Sequence, residues 1–329
     1  MNPLSSTPES AQPPDETDRL ARIALTWLVE PGNRTVWSMV ERADAPAALE
    51  RLLAGDIADA PLRAQVIARA ATGDARRIAE IALRRAQRIE ARLVVPSDGE
   101  WPASVNTLAA LELDGPGAIN RDIRPPLCFW VRGSWPLAEA VDRSAAIVGA
   151  RAATSYGTQV SSDLAYGLAD RGWTVVAGGG FGIEAAAHRG ALAAGGRTVA
   201  FLSCGVDRPY PAGNSALFDQ IADRGLLISE WPIGAEPLRH RFLVRNRIIA
   251  AATRGTVIIE AAKRSGAAQT IGRALVLNRP AMVVPGPVTS VMSAGCHEIL
   301  RSEPAARLVT SVDDVLSEMA GAAHTTSND

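Results

Sequence analysis

The chain has 329 residues, with 34 Lys and Arg against 35 Asp and Glu, 47% apolar and 21% charged residues. Those proportions describe a globular protein of about two domains at roughly 150 residues each, and they exclude a disordered chain, a collagen and a small disulfide scaffold. A net charge of −1 also excludes a protein that coats nucleic acid through a globally positive surface, so any nucleic-acid site has to be local.

Residues 1 to about 18 are polar, Pro-rich and acidic, the composition of a disordered tail and not of a secretory signal. No run approaches the roughly 20 apolar residues that a membrane span needs, and the expected location is cytoplasmic. Cys128, Cys204 and Cys296 lie far apart without a C-x-x-C pair, so they are expected to be reduced and packed, with no zinc site. Lys263 is the only lysine. A GC-rich genome explains most of that bias, although arginine also offers a forked donor array and a flat face for stacking on bases.

Residues 19–92 carry Ala, Leu, Ile and Arg at helical spacing, as in Ile78, Ile81, Ala82, Arg85 and Ile89, and form a small helical domain of about four helices. Residues 93–143 read as a connector packed on the core, where Pro125 and Pro126 forbid a continuing helix and 127–131 is extended. From 144 to 320 the pattern changes to short apolar β-rich runs at 145–149, 174–178, 198–203, 226–229, 256–260 and 281–285. Helical stretches at 156–170, 182–194, 214–224, 243–252 and 266–278 separate them. This alternation predicts an α/β domain with a doubly wound, mainly parallel, Rossmann-like sheet, whose ligands sit beyond the carboxyl ends of the strands. One short helix (VDDVLSEM) and a tail at 321–329 follow.

The first strand ends in GARAATSYG, 149–157, where Thr154 and Ser155 are N-cap candidates and Arg151 stands near free backbone N–H groups. That arrangement suits a phosphate, or else is a plain strand-to-helix turn with a surface arginine. The second ends in GGGFGIEAAAH, with glycines at 178, 179, 180 and 182. Such glycines let a ligand approach the backbone at a helix's positive end, or serve backbone geometry alone. The spacing is not G-x-G-x-x-G, and the next strand ends in Ser203 and Cys204 where a dinucleotide site has an acidic residue, which disfavours an NAD-type enzyme and leaves no cofactor expected. His188, one turn after Glu184, reads as a structural histidine. In the loop 204–217, Asn214 or Ser215 caps the next helix, and Asp207 or Tyr210 either touches a ligand or serves the turn.

The strongest local signal is 237–259, which holds five arginines (Arg239, Arg241, Arg245, Arg247, Arg254), one histidine, Phe242 and no carboxylate. Arginines for phosphates beside a ring for a base are the elements of single-strand binding. A solvated arginine-rich helix is the plainer reading. Ser265 and Gly266 open the next helix at the same ligand edge. Glu230 and Glu260 end their strands there, either as an acid/base pair or as counter-charges that hold arginines of the island; the lack of a nucleophile or metal cluster favours the latter.

In their order, IVGARAATSYG, AGGGFGIEAAAHRGAL, TVAFLSCGVDRPYPAGN, LLISEWPIGAEP, RFLVRNRIIAAATRG, VIIEAAKRSGAAQT and VPGPVTSVMSAGCHEIL resemble the DNA-processing protein A (DprA/Smf) family across about 145–300. The helices before them resemble that family's sterile-alpha-motif (SAM)-like domain. The resemblance implies a Rossmann-like protein that binds single-stranded DNA, homodimerises, delivers the strand to the recombinase RecA during natural transformation, and has no established catalysis. It implies phosphate contact by Arg151, a glycine loop at Gly178, Gly180 and Gly182, and a DNA pocket lined by Phe242, Arg245, Asn246 and Arg247 of F-x-x-R-N-R. With Thr154, Gly179, Arg241, Ser265 and Gly266 at the same edge, these form the expected binding set. Arg151, Arg241, Arg245 and Arg247 would neutralise phosphates, N–H groups of the glycine loop would donate to phosphate oxygens, and Phe242 would stack a base.

The chain departs from the family's pattern at Phe181, where many members are basic, at Glu184, where many have Asp, at Pro232 and Ile233, and in SGAAQT. Residues after 320 are too few for the winged-helix module that many members carry. The rival expectation is a nucleotide sensor or a nucleotide phosphoribohydrolase-like enzyme with Glu260 as its carboxylate, ranked behind because P-G-G-x-G-T-x-x-E is missing.

Overall fold

The computed structural model describes residues 16–111 and 123–325. The expected N-terminal tail therefore falls outside the described residues up to 15, as do part of the connector and the last four residues. Residues 16–18, expected in the tail, already belong to the first helix.

Helices α1 (Glu16–Leu28), α2 (Arg34–Arg42), α3 (Ala45–Leu53), α4 (Ala60–Ala70) and α5 (Ala75–Arg88) make the N-terminal unit, one more than expected. Asn33, Asp44, Asp59 and Asp74 each precede a helix, and each side chain accepts a hydrogen bond from an otherwise unpaired N–H of the first turn. Ile23, Leu25, Leu28, Leu49 and Leu52 fill the core of the unit and join it to the apolar face of the sheet through Trp130 and Leu227.

The connector does more than pack on the core. Strands β1 (Ala91–Val94) and β2 (Phe129–Arg132) pair antiparallel, Val94 opposite Phe129, and β2 then pairs antiparallel with β6 (Leu226–Ser229). The reason is composition: Phe129, Trp130 and Val131 are apolar in succession and wholly buried, which only a strand covered on both faces satisfies.

The remaining chain alternates as expected: α6 (Leu137–Asp142), β3 (Ser144–Val148), α7 (Ser155–Asp170), β4 (Thr174–Ala177), α8 (Ile183–Ala193), β5 (Thr198–Phe201), α9 (Ser215–Arg224), β6, α10 (Arg239–Ala252), β7 (Gly255–Ile258), α11 (Gly266–Val276), β8 (Ala281–Val283), α12 (Ala294–Ser302), β9 (Arg307–Leu308) and α13 (Val312–Thr325). The sheet order is β1-β2-β6-β5-β4-β3-β7-β8-β9, parallel from β6 to β9. Strands β4 to β6 lie on one side of β3 and β7 to β9 on the other, so the winding reverses between β3 and β7. At such a switch point the two following loops diverge and leave a crevice at the carboxyl ends. Helix α10 begins at Arg239, four residues before the expected start, so the whole F-x-x-R-N-R segment is helical. Among the described residues no helix is long and apolar enough to cross a membrane.

Candidate nucleic-acid interface

The crevice is built around Glu260, which follows β7. Its carbonyl oxygen accepts from Ala150 N–H at 2.7 Å. Its carboxylate accepts from Thr154 N–H at 2.9 Å and from the Thr154 hydroxyl at 2.6 Å. Thr154 in turn caps α7, accepting from Gly157 N–H at 3.2 Å. One buried carboxylate thus ties the loop after β3 to the loop after β7. Two expectations change: Glu260 holds a loop and not an arginine, and Thr154 positions the loop in place of touching a ligand, since both of its polar groups are committed.

Above this knot lies a cleft of about 590 Å³, whose lining includes Arg151, Tyr210, Arg239, Phe242, Arg245 and Arg264. The Arg151 guanidinium carbon stands 4.5 Å from the centre of the Phe242 ring, a cation–π arrangement. Tyr210 meets the same ring edge-on, centroids 5.9 Å apart at 66°. Arg151 and Phe242, predicted from segments 91 residues apart, are therefore in contact. Phe242 is half-buried, and Arg151 and Tyr210 are exposed at the mouth.

Helical geometry sorts the arginine island. At 100° per residue, Phe242, Arg245 and Asn246 share one face of α10, whereas Arg247 lies about 140° from Phe242. Arg245 accordingly reaches the cleft floor, where its Nη1 donates to the Phe201 carbonyl at 2.9 Å. Burial, then the neighbouring Arg151 charge, push its pKa below the usual arginine range against the pull of Glu184. Asn246 donates to the Gly266 carbonyl at 3.1 Å, and Ser265 caps α11 by accepting from Ala268 N–H at 3.3 Å. These contacts hold the α11 end of the cleft against α10.

Arg247 and Arg241 have to be withdrawn from the expected phosphate contacts. Arg247 is 0% exposed and donates to both oxygens of Glu230, at 2.7 and 2.6 Å. Glu230 thus has the counter-charge role foreseen for it. Arg241 faces the helical unit and donates to both oxygens of Glu30, which lies just after α1, at 2.5 and 3.0 Å. Trp231 Nε1 donates to the same carboxylate at 2.8 Å. Burial alone would raise the pKa of Glu30, but the hydrogen bond and charge of Arg241, with Trp231 and His240, bring it below the usual carboxylate value. Arg254 is bound at the far end of α10 to Asp142, at 3.0 Å. In exchange the cleft has Arg239 and Arg264, both exposed and in no ion pair among the described residues. The signal for Arg264 was the basic pair at 263–264, directly after a strand at the ligand edge.

The glycine loop also needs correction. A Cβ on Gly178 would collide with the Arg245 guanidinium, on Gly179 with the Phe218 ring, and on Gly182 with the carbonyl oxygens of Ala150 and Arg151. The glycines admit the protein's own groups. Gly180 N–H, expected to face phosphate, donates to the Glu184 carboxylate at 2.8 Å. Glu184 lines the cleft and is the one acidic group among its described lining residues.

His188 is structural, as expected. The Thr198 hydroxyl donates to the Val175 carbonyl and so accepts from His188 Nδ1 at 2.7 Å. Burial lowers the His188 pKa to about 3, with Arg245 and Arg189 adding to it. Cys128, Cys204 and Cys296 are buried and unpaired, and burial raises the Cys128 thiol to about 12. Among the described residues no group of His, Cys, Asp and Glu could hold a metal ion.

A Mycobacterium tuberculosis relative is 46% identical over 300 residues, spanning 88% of this chain and 75% of its own. The DNA processing protein DprA of Streptococcus pneumoniae is 39% identical over 173 residues, 53% of this chain and 60% of that one. Its X-ray structure superposes with a TM-score of 0.73 at 27% identity, covering 92% of this chain and 98% of that one. DNA processing protein A from Helicobacter pylori, whose structure is described as showing a single-stranded DNA binding mode, covers 64% of this chain and 94% of its own, with a TM-score of 0.55 and 28% identity. The profile of the family described as DNA recombination-mediator protein A matches residues 92–320, and with those relatives it establishes that the chain belongs to that family.

Proposed function

We propose that this protein binds single-stranded DNA in the cleft at the β3–β7 switch point and serves recombination as a DNA-processing protein. The observation that carries the reading is the contact of Arg151 with Phe242, which places a cation and a flat ring together at the mouth of a cleft floored by Arg245. Phosphates are neutralised by Arg151, Arg239, Arg245 and Arg264, and a base stacks on the layer of Arg151, Phe242 and Tyr210, each stacked base worth roughly 1 to 3 kcal/mol. Every base has a flat face, so capture is tolerant of sequence. Duplex DNA binds less well because its bases are already stacked.

The same reading assigns a cytoplasmic protein that shields the strand and hands it to RecA. It acts as a homodimer, so that two clefts engage one strand and the second contact profits from effective concentration. It is a binding protein and not an enzyme: both Glu260 carboxylate oxygens are committed to Thr154, which supports positioning over acid/base chemistry. The nucleotide-hydrolase reading predicts base release from nucleoside monophosphates, and none is expected.

The test is fluorescence anisotropy with labelled oligo-dT and its duplex at two salt concentrations. Preference for the single strand, with affinity falling as salt rises, is expected. Equal affinity for the two forms would overturn the reading.

A further inference from the structure

Phe181 is the only residue between Gly178 and Gly182 with a side chain, and that side chain is 47% exposed. The backbone beside it is pinned. Gly180 N–H is held by Glu184, Ile183 N–H donates to the Ala150 carbonyl at 3.2 Å, and Gly182, at φ +71°, sits tightly beneath the Ala150 and Arg151 carbonyls. The ring itself rests on Gly213: a Cβ there would lie 3.0 Å from Phe181 Cζ and 3.2 Å from Cε1. Gly213 has no positive φ, so its backbone does not require glycine and the space is used by the ring. The loop bearing Gly213 is fastened by Asn214, whose Nδ2 donates to the Gly179 carbonyl at 3.0 Å, and it also carries Tyr210, 43% exposed.

A pinned, half-open aromatic ring beside a cationic cleft has a restricted set of partners. The groups nearest its flanking glycines are the Glu184 carboxylate, the Arg151 side chain and the Ala150 and Arg151 carbonyls, so the ring stands among polar and charged groups. The area on offer is that of one flat heterocycle. We propose that Phe181 is a second stacking platform, which takes the nucleobase next to the one held at Arg151 and Phe242. This rests on the single-strand reading above. The strand would then be gripped by two stacked bases, with the phosphate between them facing Arg151.

The experiment compares Phe181→Ala and Phe181→Trp with the parent protein, using oligo-dT, an abasic oligomer of the same length, and an oligonucleotide carrying 2-aminopurine. Phe181→Ala is expected to weaken oligo-dT binding about five- to tenfold with an unchanged salt slope. Binding of the abasic oligomer stays the same, and the quenching of 2-aminopurine is lost. Phe181→Trp keeps both affinity and quenching. Thermal melts of the variants, whose altered side chain is at the surface, report folding separately. Unchanged oligo-dT affinity in Phe181→Ala, or an equal loss on the abasic strand, overturns the inference. Failure of the parent protein to bind oligo-dT instead overturns the single-strand reading.

Discussion

Replacing Arg247 by methionine separates a structural arginine from a DNA-binding one. Its side chain is wholly buried, with both Glu230 oxygens at 2.7 and 2.6 Å, and with the Arg124 and Val244 carbonyls each accepting at 3.0 Å. Removing it leaves a buried carboxylate without its counter-charge, a change that costs about 3 to 5 kcal/mol. Against a total stability of about 5 to 15 kcal/mol, that is a large share. Removing both charges, with Arg247→Met and Glu230→Leu together, spares the unpaired charge and costs mainly the hydrogen bond to the Arg124 carbonyl, about 1 to 3 kcal/mol, because the Val244 carbonyl lies within α10 and keeps its helical partner. Urea denaturation measures the two variants. A salt series of oligo-dT binding, where each phosphate contact contributes a slope of about 0.7, shows whether a contact was lost. The expectation is a strongly destabilised single variant and a largely restored double variant that binds with the parent slope. A double variant that is stable but has lost about one contact from its slope would refute the burial argument and return Arg247 to the phosphates.

Arg151→Ala should lower the salt slope by about 0.7, whereas Phe242→Ala should weaken binding to all sequences while leaving most of the slope in place; equal losses of slope would contradict that division. Gly178→Ala puts a methyl group into the Arg245 guanidinium, so a loss of about 1 to 3 kcal/mol is expected in a melting experiment, together with weaker oligo-dT binding. His188 takes up a proton below 6.5 when unfolded but only near 3 when folded, so it makes stability fall as pH drops through that window. At pH 5 this amounts to about 2 kcal/mol, and His188→Gln should show a flatter dependence of melting temperature between pH 7.5 and 5. The Glu30 clamp has the opposite kind of group and the same sign. Its lowered pKa stabilises the fold above the usual carboxylate value and that stabilisation is lost as pH falls through the lowered one, so proteolysis of the helical unit should rise with acid in the parent, whereas Glu30→Gln should be cut more readily at neutral pH and show less change with pH.

The alternation of strands and helices was legible because its causes are local. Short β-branched runs, Gly-rich turns and capping residues lie within a few positions of one another, and β3 to β8 appear within a few residues of where periodicity placed them. The ligand edge followed from the strand ends, and the charge island from composition. The contact of Arg151 with Phe242 was foreseeable only as a consequence of the family resemblance and the sheet topology together.

Apart from the counter-charge role of Glu230, the partners of the charged groups were not legible. Arg241 and Glu30 are 211 residues apart, Thr154 and Glu260 106, and Arg247 meets Glu230 across 17. Spacing along α10 puts Arg245 and Arg247 on different faces, but only the packed sheet and helical unit decide which face is buried. The glycines carried the same ambiguity: their pattern demands that something come close, and the neighbours in three dimensions make that something Arg245, Phe218 and two carbonyls. Local sequence sets backbone conformation because torsions and hydrogen bonds act over a few residues. Burial and ion pairing depend on surfaces brought together from distant parts of the chain, so the roles of the arginines appeared only once those surfaces met.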